Sequence, residues 1–325
     1  MSKNHSALGA YLIALMFAGC GAAYAQATYP TKPIRIVTAA AGGGGDFSAR
    51  ILAQGLTNSF GQQVIVDNRG GGNGIIAAQT VTKSPADGYT LLLYPNPLWL
   101  LPFLQDNVPY DPVKDFAPIS LTDSAPNVLV VHPSLPVKSV RELISLAKAR
   151  PGELNYSRAS AGSPVHLAAE LFMAMAGVTI VPVPYKGGGP AVLALLAGEV
   201  ELSFASLGAS GAAAITSKRL RALAVTSAEP SPLFPGLPTM AASGLPGFEA
   251  VSVKGLFAPA GTPASIVNRL NREVVQILRR PEIKERFLNS GAEIVGTSPG
   301  EFESFLKSDM AKWGKLIKAA KIRGD

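Results

Sequence analysis

Cysteine is nearly missing from this chain: its 325 residues contain one, Cys20. That scarcity excludes an intramolecular disulfide, and a cysteine nucleophile once residues 1–25 are removed. Histidine is almost as rare, with only His5, His132 and His166, so few ligands exist for a transition metal. No phosphate-binding loop ending in Gly-Lys-Ser/Thr and no Gly-x-Gly-x-x-Gly fingerprint occurs, and no nucleophile elbow is expected. Nothing in the sequence announces enzyme chemistry, and no cofactor is expected. Residues 91–104 are strongly apolar, but Pro95, Pro97 and Pro102 prevent them from forming a membrane helix. Stability must therefore come from a hydrophobic core, and about 300 residues suffice for two lobes.

What is present begins with an export pattern. Lys3 precedes an apolar run over 8–18, and Ala23, Tyr24 and Ala25 supply a small-x-small cleavage site, so 1–25 reads as a signal peptide. A rival reading takes Phe17, Ala18, Gly19 and Cys20 as a lipoprotein box with Cys20 acylated; Phe17 is unusual there. Both put the mature protein outside the cytoplasm, in the periplasm. Net charge is +7, or +6 without Lys3, and the cations are dispersed except for a cluster over 307–323. Nucleic acid is out of place in that compartment; a solvated positive surface and steering of anionic ligands are the two readings left.

After Gln26 the chain alternates β-branched runs with amphipathic stretches. Strands are predicted over 34–38, 64–66, 90–94, 128–131, 180–183, 200–204 and 221–226, and helices over 46–60, 140–149, 165–176 and 189–197. This alternation predicts α/β layers with largely parallel sheets. Thr262 is read as a cap with Pro263 opening a helix, and Ser298, Pro299, Gly300 and Glu301 form a capping box. Phe302, Phe305, Leu306, Met310, Trp313 and Ile317 then repeat at helical spacing, a core-packing stripe rather than a cofactor site.

Four loops open helices. Gly42, Gly43, Gly44 and Gly45 follow the first strand, with Asp46 read as the cap of the next helix. Glycine lets backbone approach a ligand, and a helix start offers free N–H groups to an anion; a merely flexible loop is the plain alternative. Residues 68–74 repeat the arrangement, as a ligand contact or as a turn packing on the first loop. A third loop runs over 155–167, with Ser163 as a natural N-cap before Pro164, and with Ser157, Ser160, Gly162 and His166 nearby. His166 is read either as a structural hydrogen-bonding group or as ligand-facing. Tyr185 and Lys186 close a fourth strand; Tyr185 is a ligand candidate and Lys186 a solvated lysine. Open α/β sheets bind ligands at this carboxyl edge.

Longer motifs make the resemblance specific. They are Tyr29-Pro30-x-Lys32-Pro33-Ile34-Arg35-Ile36-Val37, Val66-Asp67-Asn68-Arg69 and Asp87-Gly88-Tyr89-Thr90-Leu91-Leu92. Further along stand Val108-Pro109-Tyr110-Asp111-Pro112-Val113-Lys114-Asp115-Phe116-Ala117-Pro118, Val183-Pro184-Tyr185-Lys186-Gly187 and Leu220-Arg221-Ala222-Leu223-Ala224-Val225. Leu256-Phe257-Ala258-Pro259-Ala260-Gly261-Thr262-Pro263 completes the set. In order and spacing the mature chain resembles the Bug (TctC-like) family of periplasmic solute-binding proteins, the capture component of tripartite tricarboxylate transporters. The resemblance implies a two-lobe, type II-like periplasmic binding protein with a hinge and an interlobe cleft. Lobe 1 is expected over 26–123 plus 249–325, and lobe 2 over 124–248. It further implies a small carboxylate held by the first glycine loop (Ala40, Gly42, Gly43, Gly44, Asp46) and by the loop carrying Ser157, Ser160, Gly162, Ser163 and His166, with Tyr185 alongside.

The chain departs from the family pattern in three places. Thr38 and Ala39 replace a proline and an aromatic; Ala205 replaces an acid; Val253 and Lys254 replace a Trp-aromatic pair. Loss of the acid at Ala205 disfavours an amino-acid ligand. Lys254 is read as a partner for a second carboxylate or as an exposed hinge lysine, and Ala39 leaves room for an apolar or aromatic body. The reading is a monomeric, non-catalytic binding protein leaning to a dicarboxylate and serving the large and small subunits of a membrane permease. The alternatives are a sensor docking on a signalling receptor such as a sensor kinase, and a hydrolase using Ser163 with His166.

Overall fold

A computed structural model describes residues 29–71, 74–158, 162–185, 188–205 and 209–323; the expected signal peptide and Cys20 lie outside them. Two sheets organise the chain. The first holds six strands in the order β11-β4-β10-β3-β1-β2: β1 (Ile34–Thr38), β2 (Val64–Asn68), β3 (Thr90–Pro95), β4 (Phe116–Pro126), β10 (Val251–Pro259) and β11 (Glu293–Ile294). The second holds five in the order β7-β6-β8-β5-β9: β5 (Val128–Val131), β6 (Asn155–Arg158), β7 (Val181–Pro184), β8 (Leu202–Ala205) and β9 (Arg221–Val225).

Neither sheet is largely parallel. β1 pairs in parallel with β2 and β3, but β10 runs antiparallel to both β3 and β4. In the second sheet β6 is parallel to β7 and β8, whereas β5 is antiparallel to β8 and β9. In the second sheet β5 causes the difference, and in the first the long strands β4 and β10 do. Pro118, Asp123 and Gly255 interrupt their β-branched patterning, and bulges at Lys254/Gly255 and Leu256/Phe257 absorb the irregularity.

The helices of the first sheet are α1 (Gly44–Phe60), α2 (Ile75–Thr82), α3 (Pro97–Leu104), α8 (Ala264–Leu278), α9 (Pro281–Asn289) and α10 (Pro299–Ala319). Those of the second are α4 (Val140–Ala149), α5 (Pro164–Ala176), α6 (Gly188–Ala197) and α7 (Ala209–Thr216). The apolar stretch around Pro97 becomes the eight-residue buried helix α3 with Pro102 inside it. No described helix is long and apolar enough to cross a membrane. Thr262 does not cap α8: Pro263 occupies that position, and the Thr262 hydroxyl donates to the Pro259 carbonyl at 2.7 Å.

The C-terminal helix straps the molecule. Ser298 and Glu301 form the expected reciprocal capping box. Phe302, Leu306, Trp313 and Ile317 are buried, and the helix packs on α3, β4 and α5, so it touches both sheets' layers. Phe302 takes the space that a Cβ at Gly255 would need. Buried Asp309 accepts the indole N–H groups of Trp99 at 2.8 Å and Trp313 at 2.9 Å. Burial raises its pKa, and the two indole bonds oppose that rise.

Where the chain passes between sheets, Asn127, Thr226 and Ala250 clasp the connections. Asn127 N–H donates to Thr226 Oγ1 at 2.8 Å, Thr226 Oγ1 donates to the Ala250 carbonyl at 2.7 Å, and Ala250 N–H donates to the Thr226 carbonyl at 2.9 Å. The clasp is short and made mainly of backbone, as a hinge between two layers requires.

Candidate functional site

The strand directions turn two carboxyl edges toward each other. β1, β3 and β4 all run toward the passage at Pro126–Val128, since β10 is antiparallel to β3 and β4. β5 leaves that passage, so antiparallel β8, and β6 beside it, run back toward it. The glycine loop after β1 and the carboxyl ends of β6 and β8 therefore face one cleft.

The first loop is braced from below. α1 begins at Gly44 with Gly43 at the cap position and no side-chain cap, so Asp46 is the third helical residue rather than the cap. Its buried carboxylate instead reaches back to accept the Gly42 N–H at 3.0 Å. Asn68 Nδ2 donates to it at 3.0 Å, and Arg50 Nε also lies 3.0 Å away. The Arg50 bond, with help from the Gly42 and Asn68 bonds and against the cost of burial, lowers the Asp46 pKa to about 2. Ala40, Gly42, Gly43 and Gly44 stay exposed above this brace, where N–H groups at the start of α1 face solvent.

The second glycine loop packs on the first. Arg69 N–H donates to the Thr38 carbonyl at 2.8 Å, and Asn68 Nδ2 donates to that of Ala39 at 2.9 Å. A Cβ at Gly70 would stand 2.9 Å from the Ala40 Cβ. Thr38 is buried, and its hydroxyl is spent on the Leu93 carbonyl at 2.9 Å.

Beside the first loop lies a cavity of about 510 Å³ that Phe47, Pro95, Ala125, Ser252 and Lys254 help to line. Lys254 is buried and ion-paired with fully buried Asp123, which also accepts the Thr122 hydroxyl at 2.8 Å. It is no exposed hinge lysine. Its Nζ would lie 3.6 Å from a Cβ at Gly44, so this cation stands directly against the loop.

Across the cleft, Ser157 is buried near the end of β6, and its hydroxyl has no hydrogen-bond partner among the described residues. Ser163 caps α5 by accepting the His166 N–H at 3.4 Å. His166 Nδ1 accepts the Gly162 N–H at 3.0 Å, which leaves the ring proton on Nε2, 3.3 Å from Glu170 Oε1. Tyr156 donates to the same oxygen at 3.2 Å. Both ring nitrogens are thus spent inside the lobe, and neither makes a hydrogen bond with Ser163. Gly162 has φ +72 and is pressed against Leu104 of α3, a contact between the two lobes. Ala205 is buried at the end of β8. Tyr185 donates to Glu199 at 3.2 Å; burial and that carboxylate raise its pKa. Ser160 and Lys186 lie outside the described residues.

One stretch has the spacing of a nucleophile elbow, contrary to the expectation of none: Gly296, Thr297, Ser298, Pro299 and Gly300. Ser298 is the cap of α10, and its hydroxyl is bonded to Glu301 at 2.8 Å, so the resemblance ends with the letters. Among the described residues no group of His, Cys, Asp and Glu could hold a metal ion. Glu170 and Asp123 shape the site without having been expected there, whereas Asn68 belongs to the 68–74 loop for which packing on the first loop was one reading. Of Glu170 and Asp123, only the former left a trace in the sequence, four residues after His166.

Comparison with known proteins agrees with this geometry. Residues 48–322 match the model of the tripartite tricarboxylate transporter family receptor, TctC. The chain is 39% identical to Protein BugT of Bordetella pertussis over 304 residues, covering 93% of each. Rpa4515 of R. palustris, solved with adipate, is 39% identical with a TM-score of 0.76, over 91% of this chain and 99% of that one. MatC of Rhodopseudomonas palustris, with bound malate, is 28% identical with a TM-score of 0.72, over 89% and 100%. Family and fold are thereby those of two-lobe solute-binding receptors, which are periplasmic and are not enzymes.

Proposed function

The chain belongs to the tripartite tricarboxylate transporter receptor family, and from that premise we propose that it captures a small dicarboxylate between its lobes and delivers it to a membrane permease. The carrying observation is the pairing of two unmet hydrogen-bonding surfaces across one cleft. Free N–H groups at the start of α1 want an acceptor, and the buried Ser157 hydroxyl has none to meet. A carboxylate supplies acceptors to both. Lys254, held against Gly44, adds positive potential that is partly offset by Asp123. Two neighbours bound to adipate and to malate support the class of ligand.

In this reading lobe 1 comprises 26–123 with 249–325, lobe 2 comprises 124–248, and residues 1–25 direct export to the periplasm. Ala40, Gly42, Gly43, Gly44 and Ser157 touch the ligand. Asp46, Gly162, Ser163 and His166 position those contacts, and the small Ala39 and Ala205 leave room for the ligand's body. Lack of an acid at Ala205 favours a plain acid over an amino acid.

A thermal-shift screen of ligand-stripped protein tests this. Ligand at about 100 times its Kd adds about 2.7 kcal/mol, or several degrees at roughly 2–4 °C per kcal/mol. A shift with dicarboxylates and none with amino acids is expected. No shift with any acid would overturn the proposal.

A further inference from the structure

The cationic cluster of the sequence borders a second recess that shares no lining residue with the cavity beside the first glycine loop. Residues 311–323 carry Lys312, Lys315, Lys318, Lys321 and Arg323 and no acid. Lysines near a helix end offset its dipole, which accounts for Lys318 and not for the rest. Between α3 and α10, Lys315, Lys318, Lys321 and Arg323 line an open groove of about 840 Å³ together with Phe103, Met310 and Gly314. Phe103 leaves 37% of its surface in water. A Cβ at Gly314 would fall 2.7 Å from its ring, so the glycine lets the ring lie against α10. Lys315, Lys318 and Lys321 have no ion-pair partner among the described residues, while Arg323 lies 3.4 Å from Asp106.

Both walls touch the other lobe. Leu104, next to Phe103, abuts Gly162, and α10 packs on α5. An occupant of the groove would therefore sit where the lobes' relative position is felt.

We propose that this groove docks an acidic segment of a partner protein, with carboxylates on the three lysines and a bulky apolar side chain on Phe103 and Met310. Charge complementarity selects the acid, and the exposed ring selects the apolar anchor. The concave form favours a protein segment, which can enter a recess between two helices, over the flat headgroup plane of a lipid bilayer.

The test titrates the mature protein with a labelled helical peptide of Glu and Leu, the same peptide with Lys for Glu, and phosphatidylcholine vesicles containing phosphatidylglycerol. The Glu/Leu peptide is expected to bind. Lys315→Glu with Lys318→Glu, or Phe103→Ser, should weaken it about tenfold. Lys148→Glu with Arg150→Glu, at the C-terminal end of α4, should leave it unchanged. The thermal response to the cleft ligand should persist in every variant, showing that fold and cleft are intact. Equal binding of both peptides, indifference to the groove variants, or vesicle capture with the same lysine dependence would each overturn the proposal.

Discussion

The Asp46 carboxylate accepts the backbone N–H of Gly42 at 3.0 Å, so a helix residue fixes the loop that precedes it. Asp46→Asn keeps the shape but removes the charge held by Arg50, Asn68 and Gly42. Ligand affinity should fall about tenfold by calorimetry, with a stability loss of about 1–3 kcal/mol by denaturant titration.

Acid should act through the same group. The folded Asp46 pKa is depressed to about 2 from the ordinary 3.8. Such a group contributes stability that is present above its unfolded pKa and lost as pH falls through its folded one. Melting temperature should drop between about pH 4 and pH 2, and Asp46→Asn should flatten that part of the profile. An unchanged profile in the variant would remove Asp46 from the account.

His166 accepts the Gly162 N–H at Nδ1 and holds Nε2 3.3 Å from Glu170 Oε1, so in the proposed reading its role is positioning. His166→Ala should cost about 2 kcal/mol of stability by freeing the Gly162 N–H and Glu170. Ligand binding should weaken with it. Ester turnover should be absent from wild type and variant alike; turnover lost in Ser163→Ala would revive a hydrolase.

Lys254 and Asp123 are a buried pair, and removing one partner leaves an uncompensated charge. Lys254→Met alone should destabilise by about 3–5 kcal/mol, with the double variant Lys254→Met, Asp123→Leu recovering most of it. In the double variant, preference for dicarboxylates over monocarboxylates should narrow. Unchanged preference would strike Lys254 from the ligand's surroundings.

Much of the fold was legible because its signals are local. β1, β5 and α4 fall where periodicity predicts them, and Ser163 and Ser298 cap where their neighbours say they should. β4 and β10 were not legible. Each is long and broken by Pro118, Asp123 or Gly255, and each owes its strand to pairing with residues more than a hundred positions away. The start of α1 was misplaced by two residues since Gly44 and Gly45 have poor helix propensity and are held by tertiary packing. At the site, sequence spacing found the loops. It offered the packing of 68–74 on the first loop as one reading, which Gly70 against Ala40 matches, but gave no hint that Asp46 reaches backward instead of capping, or that Asp123 faces Lys254 across two separate strands.

Ser157 carries the central claim, since its hydroxyl is buried without a hydrogen-bond partner among the described residues. The most direct measurement is calorimetric titration of ligand-stripped wild type and Ser157→Ala with a dicarboxylate series that includes malate and adipate, alongside their unfolding curves. The account predicts opposite effects: the variant should bind about tenfold more weakly, yet be as stable as wild type without ligand, or more stable by about 1 kcal/mol. Unchanged affinity for the preferred acid, or a ligand-free protein made less stable by losing the hydroxyl, would contradict it.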